Sequence, residues 1–135
     1  MFILSKILNG RINVSEPLHM ASGVSAETTF AAGTAVAYQD GVLAPVSGDA
    51  TAEYVVLETT KCAAAGDKVP LTLVTKDMIF EAPVTAAPLA PGKRATFGDD
   101  GLSVTATECA TGFGAYVVDT IDAKGAGDVI AVRLA

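Results

Sequence analysis

From Phe30 to the last residue of this chain, no apolar run is long enough to make a helix. Short apolar stretches alternate with clusters of Gly, Asp and Ser, and no window of a dozen residues keeps a 3.6-residue apolar period. Ala35 to Tyr38 and Val42-Leu43 flank Gln39-Asp40-Gly41, which predicts a hairpin with Asp40-Gly41 at its tip. Glu53 to Thr59 and Lys68 to Thr75 read as strands, followed across a tight Lys76-Asp77 turn by Met78 to Ala82. Arg94 to Phe97 and Leu102 to Thr107 flank Gly98-Asp99-Asp100-Gly101 as a second hairpin, and Gly114 to Ile121 and Val129 to Leu134 close the series. The expected fold is all-β: a compact β-barrel or β-sandwich of roughly eight short, mostly antiparallel strands. Pro70 cannot donate a ladder hydrogen bond, so its strand is expected at an edge or a bulge. At most one short helix is expected, between Pro17 and Thr29 with Ser15 or Glu16 near its start, weakened by Gly23 and Thr28-Thr29.

Half of the residues are hydrophobic, yet only 6% are aromatic and none is Trp, so small and β-branched side chains must fill the core. A length of 135 residues fits one domain that needs no metal or disulfide staple. The formal charge of −6 repels phosphate backbones and anionic lipid, which argues against nucleic acid and membrane partners. No stretch reaches the roughly 18 apolar residues of a membrane span. The apolar opening MFILSKIL is too short for a signal-peptide core, so synthesis in the cytoplasm is expected. Cys62 and Cys109 are then expected to be free thiols, and the Asn13-Val14-Ser15 acceptor pattern carries no weight.

Two phrases nearly repeat: AAAGDKVPLTLV at 63–74 and KGAGDVIAVRLA at 124–135. Gly33, Gly66, Gly92 and Gly127 each precede a strand at spacings too irregular for a solenoid. Turn chemistry accounts for them, since glycine accepts φ > 0 and Asp can bond nearby N–H groups. The structural turns are expected at Gly33, Asp40, Gly41, Gly66, Asp67, Gly101, Gly127 and Asp128.

No catalytic constellation emerges. His19 is the sole histidine, without a patterned nucleophile or orienting partner. Cys62, Cys109 and His19 lack paired zinc-ligand spacing. Asp99-Asp100 and the set Asp119, Asp122 and Asp128 do not follow a calcium-loop spacing. Gly112-Phe113-Gly114 lacks the third glycine and helix of a phosphate loop. No catalytic residue, metal or cofactor is expected.

The stretch AAGTAVAYQDGVLAPVSGDATAEYVVLETT, continued by AAAGDKVPLTLVTKDMIFEAPV, resembles the small head-decoration, or capsid cement, proteins of tailed bacteriophages. Gly33, Asp40, Gly41, Leu43, Pro45, Tyr54 to Glu58 and Gly66-Asp67 carry the likeness, which extends over about Phe30 to Ala135. It implies a non-enzymatic virion protein on the capsid exterior, assembled in the host cytoplasm. It also implies the major capsid protein as partner and a homo-oligomer, most often a trimer. Residues 1–29 are then expected as an N-terminal arm ahead of a β-rich domain at 30–135. Phe2, Ile3, Leu4, Ile7 and Leu8 are the candidate capsid or subunit contacts, either in that arm or as a first strand of the domain itself. Two other classes stay open: a virion adhesin or carbohydrate-binding module, and a small β-barrel hydrolase.

Overall fold

Repeated short β-branched runs between turn residues produce strands throughout. The computed structural model describes residues 1–8 and 18–135. Thirteen strands lie among them. One antiparallel sheet contains β2 (Leu18–Ala21), β8 (Lys68–Leu73), β6 (Tyr54–Val56), β4 (Ala35–Gln39) and β5 (Val42–Pro45), in that order. The other contains β1 (Ile3–Ile7), β9 (Met78–Pro83), β13 (Val129–Arg133), β12 (Ala115–Asp119), β10 (Arg94–Phe97) and β11 (Val104–Glu108). A small third sheet pairs β3 (Thr28–Phe30) with β7 (Thr60–Cys62). Neither large sheet closes on itself, so the arrangement is sandwich-like and not a barrel.

The two large sheets are built on one plan. In each, a hairpin (β4–β5, β10–β11) is followed by a strand beside its first arm (β6, β12). Next comes a further strand (β8, β13), and on its far side lies the strand that opens the half (β2, β9). Hydrogen bonds repeat with the plan. Gly33 N–H donates to Val56 O and Val56 N–H to Thr34 O, at 2.7 and 2.9 Å. Gly92 N–H donates to Val117 O and Val117 N–H to Lys93 O, at 2.9 and 2.8 Å. The turn before each hairpin closes alike, Thr34 N–H onto Ala31 O and Lys93 N–H onto Ala90 O, with positive φ at Gly33 and Gly92. The two Gly-Asp phrases occupy the same place, each capping the loop that enters β8 or β13. Turn chemistry alone therefore understates the repetition: the halves 18–74 and 78–134 repeat as whole units.

The halves stack in the same orientation, not face to face. Val36, Leu43, Val56, Val69 and Leu71 of the first half pack together with Val24, Phe30 and Cys62, beneath the small β3–β7 sheet. Their counterparts Ala95, Val104, Val117, Ile130 and Val132 pack instead against Ala35, Ala37 and Val55, on the opposite face of the first sheet. The first sheet is thus buried on both faces. That is why Ala35-Val36 and Val55-Val56 are buried in succession where a one-sided strand would alternate. The second sheet is the end layer, and its outer face carries Arg94, Thr96, Tyr116 and Arg133.

Several sequence expectations change. The described residues contain no helix; in place of one between 17 and 29 stand β2 and β3. The strands number thirteen, because β1, β2, β3 and β7 join the nine read from turn signals. Of the two readings of the opening segment, arm or first strand of the domain, the structure has the strand: β1 pairs with β9, and β2, within the expected 1–29 extension, pairs with β8. The cause is Phe2, whose ring is buried edge-on against Phe97 at 5.8 Å and ties the first residues to the core. Ser15, Glu16 and the Asn13-Val14-Ser15 pattern lie outside the described residues. Pro70 sits in an interior strand, between β2 and β6. Its carbonyl accepts from Leu57 N–H at 3.0 Å, one residue past the end of β6, so its missing donor falls where that ladder has already ended.

Candidate interaction surfaces

Strand β1 is apolar and exposed together. A strand beside a core normally hides one face. Here Ile3 and Leu8 are 55% and 60% exposed, Leu4 is 41% exposed and Ile7 is half-buried. Phe2 alone is driven inward, its N–H bonded to Gly33 O at 2.7 Å. The strand is fixed at both ends, since Leu8 N–H donates to Asp77 O at 2.9 Å. Between Met1–Leu4 and the face of the first sheet at Val55, Leu57 and Thr72 runs an apolar groove of about 210 Å³, with Phe80 at its floor. Leu57 at its rim is also exposed.

A second surface lies on the outer face of the second sheet. The Arg133 guanidinium sits 4.4 Å from the Tyr116 ring centre and that of Arg94 at 5.7 Å, both within cation–π range. Arg94 Nη1 also donates to Gly114 O at 3.3 Å. A shallow hollow of about 480 Å³ opens beside them, with Lys93 and Glu108 paired at 3.3 Å on its rim. That pair is exposed on both sides and contributes little. The face is polar because it ends the stack, where a bare apolar sheet would invite another layer.

Of the carboxylates singled out from sequence, Asp67, Asp100, Asp119 and Asp128 are spent on turns. Asp67 Oδ2 accepts from the N–H groups of Ala63 and Ala64 at 2.8 and 3.1 Å. Asp128 Oδ2 accepts from Lys124 and Gly125 at the same two distances. Those backbone donors hold both carboxyls below the ordinary value near 3.8. Asp100 caps Leu102 N–H and Asp119 caps Ile121 N–H, each at 3.0 Å. Asp40 and Gly41 both take positive φ at the β4–β5 tip, and Gly101 and Gly127 do so at their own turns. Gly66 precedes Asp67 without a left-handed φ.

His19 lies exposed on β2. Cys62 is buried in the first-half core and Cys109 at the edge of the hollow, both as free thiols. No three His, Cys, Asp or Glu side chains converge as a metal site among the described residues. Phe113 is the one strongly exposed aromatic residue in a loop; the other four Phe are buried. Sequence reading passed over the Arg94–Tyr116–Arg133 cluster, whose members come from three strands. Its only linear trace is polar side chains at alternate positions of β10, β12 and β13. No family model, curated protein or solved structure matches this chain. The molecule is defined by its own geometry: an all-β stack of two repeated halves, capped by the small β3–β7 sheet, with the apolar strand β1 at its surface.

Proposed function

We propose that this chain is a structural virion protein that binds the outer surface of an assembled phage capsid and stabilises it. The observation that carries the reading is β1, an apolar strand at a sheet edge with Ile3, Leu4 and Leu8 exposed beside an apolar groove. An exposed apolar patch of that kind is a contact surface for a protein partner, and the resemblance over residues 30–135 supplies the partner, the major capsid protein. The homo-oligomeric state, with a trimer favoured, the capsid-exterior location and the absence of catalysis belong to the same proposal. An acidic exterior suits it, since like-charged copies stay soluble when crowded on one particle.

The test is cosedimentation with shells of the phage that encodes the chain, before and after shell expansion. Binding to expanded shells that is lost on Ile3→Glu and Leu4→Glu supports the proposal. Failure of the folded wild-type protein to bind either shell ends it.

A further inference from the structure

The repeated plan contains its own control. The opening strand of the second half, β9, has its outer edge covered by β1 through the pairs Ile3↔Glu81, Leu4↔Phe80, Lys6↔Ile79 and Ile7↔Met78. The opening strand of the first half, β2, stands at the end of its sheet with no strand on its outer side among the described residues; Ala21 O accepts from the Tyr38 hydroxyl and Ser22 O from Leu43 N–H, which engages its C-terminal end and leaves His19 facing outward. The consequence is visible at matched positions. Phe80, opposite Val132, is 1% exposed, whereas Leu18, opposite Leu71, is 41% exposed.

The backbone of β2 is prepared for a neighbour. Because Pro70 turns its carbonyl toward Leu57, antiparallel alternation turns Leu71 and Val69 toward β2. Leu18 and Met20 bond to them, and His19 opposite Pro70 points its N–H and C=O away from the sheet. Of the four edges of the two large sheets, β5 ends on Pro45 and β11 runs out through Thr105, Thr107 and Glu108, features that disfavour pairing. Strand β5 is apolar too, but its Leu43 N–H is already spent on Ser22 O at 2.8 Å; β1 and β2 are the apolar edges that remain, with Lys6 the single charge on β1.

We propose that β1 of one copy pairs through its outer edge with β2 of a second copy, joining the six-stranded sheet of one to the five-stranded sheet of the other. The occupant is chosen by the molecule: β1 is the strand this chain already places on the matching edge of its other half, and its second edge pairs with no strand among the described residues. Pairing would lay one apolar row of β1 beside Leu18 and Met20 and satisfy the outward groups of His19. Each copy has one β1 edge and one β2 edge, so the contact is head-to-tail and generates a ring or a chain of copies.

The inference deepens the homo-oligomeric part of the reading above and is tested without any capsid. The full chain is measured by sedimentation velocity across the micromolar range. His19→Pro is the chief variant: it removes the outward N–H while sparing the β2–β8 bonds. Should it unfold, Leu18→Lys serves the same end through a charge on the edge. Ser5→Cys and His19→Cys proteins are also mixed and treated with a short bis-maleimide, with wild type controlling for Cys62 and Cys109. The expected result is a multimeric wild type, a folded variant that sediments as a single chain, and covalent dimers from the mixture far exceeding those from either protein alone. A monomeric wild type, an oligomer indifferent to both edge variants, or cross-linking by Ser5→Cys alone overturns it. A monomer that still binds shells removes this inference and leaves the proposed function; an oligomer that binds no shell does the reverse.

Discussion

The two halves of this molecule share strand order, hydrogen bonds and turn caps, yet their surroundings are reversed. The first-half sheet is covered on both faces and, among the described residues, carries no strand outside β2. The second-half sheet is open on one face and covered at its β9 edge by β1. One backbone plan thus carries two side-chain vocabularies. Where Ala35, Val55 and Thr72 meet the neighbouring layer, their counterparts Arg94, Tyr116 and Arg133 meet solvent. Burial is decided by place in the stack more than by place in the repeat.

The comparison can be broken most forcefully at the edge strands. Phe80→Ala should cost about 3–5 kcal/mol of unfolding free energy by leaving a cavity between the sheets. Leu18→Ala, at the matching exposed position, should cost about 1 kcal/mol or less at concentrations where the chain is a monomer, and chemical denaturation of both variants measures the difference. A Leu18→Ala cost that rises with protein concentration would mark β2 as covered in the associated protein; a cost equal to that of Phe80→Ala in the monomer would break the comparison.

The matched glycines come next. Gly92→Ala should cost about 1 kcal/mol, because φ is +91° and the space around it is open apart from Tyr116 Oη at 3.9 Å. Gly33→Ala should cost roughly twice that: φ is +79° and the added Cβ would strike the Met1 side chain, which must leave its place. Removing Met1 and Phe2 should bring the two substitutions to the same cost in thermal melts.

Tyr38 lies at the end of β4 where Phe97 lies at the end of β10, and its hydroxyl donates to Ala21 O at 2.6 Å. Tyr38→Phe makes the first half resemble the second at this point and should lose about 1 kcal/mol. Burial, then Tyr54 and Glu53, push the Tyr38 hydroxyl above its ordinary value, so the wild type should also lose stability as pH rises beyond about 10.

The smallest effects should be equal. The folded-state values of Asp67 and Asp128 are depressed by matched pairs of backbone donors. Their stabilisation is present above the ordinary carboxylate value near 3.8 and is lost as pH falls through the lower folded value. Asp67→Asn and Asp128→Asn should each flatten the acid limb of the melting-temperature profile by the same amount, and the double variant by both. Unequal flattening would separate two turns that the geometry makes alike.

The nine strands read from sequence are those bounded by Gly, Asp or Pro turns, where local chemistry fixes both ends. Strands β3 and β7 escaped because three residues carry no period. Strand β1 was read as either an arm or a first strand, and nothing local decided between them; β2 escaped because nothing local marks it as paired. The candidate contacts Ile3, Leu4, Ile7 and Leu8 were legible as an apolar segment in need of a partner. That Phe2 belongs to the core, apart from the others, was not, because its burial depends on Phe97 far along the chain. The repeat itself was half legible. Tyr54-Val55-Val56 and Tyr116-Val117-Val118 read as one phrase, but Val56 takes the place of Val117, so the alignment slips by one residue. A slip of one turns a strand over: Tyr54 packs on its own core while Tyr116 faces outward beneath Arg133.

By itself the sequence determined where the chain turns and which segments extend, since φ > 0 at glycine, Asp capping and β-branched runs act over a few residues. Tertiary structure alone decided which face each sheet buries, why Pro70 fits an interior strand and why β1 pairs with β9 while β2 ends its sheet among the described residues. Those outcomes rest on stacking and edge pairing between residues distant in the chain, and no local propensity encodes them.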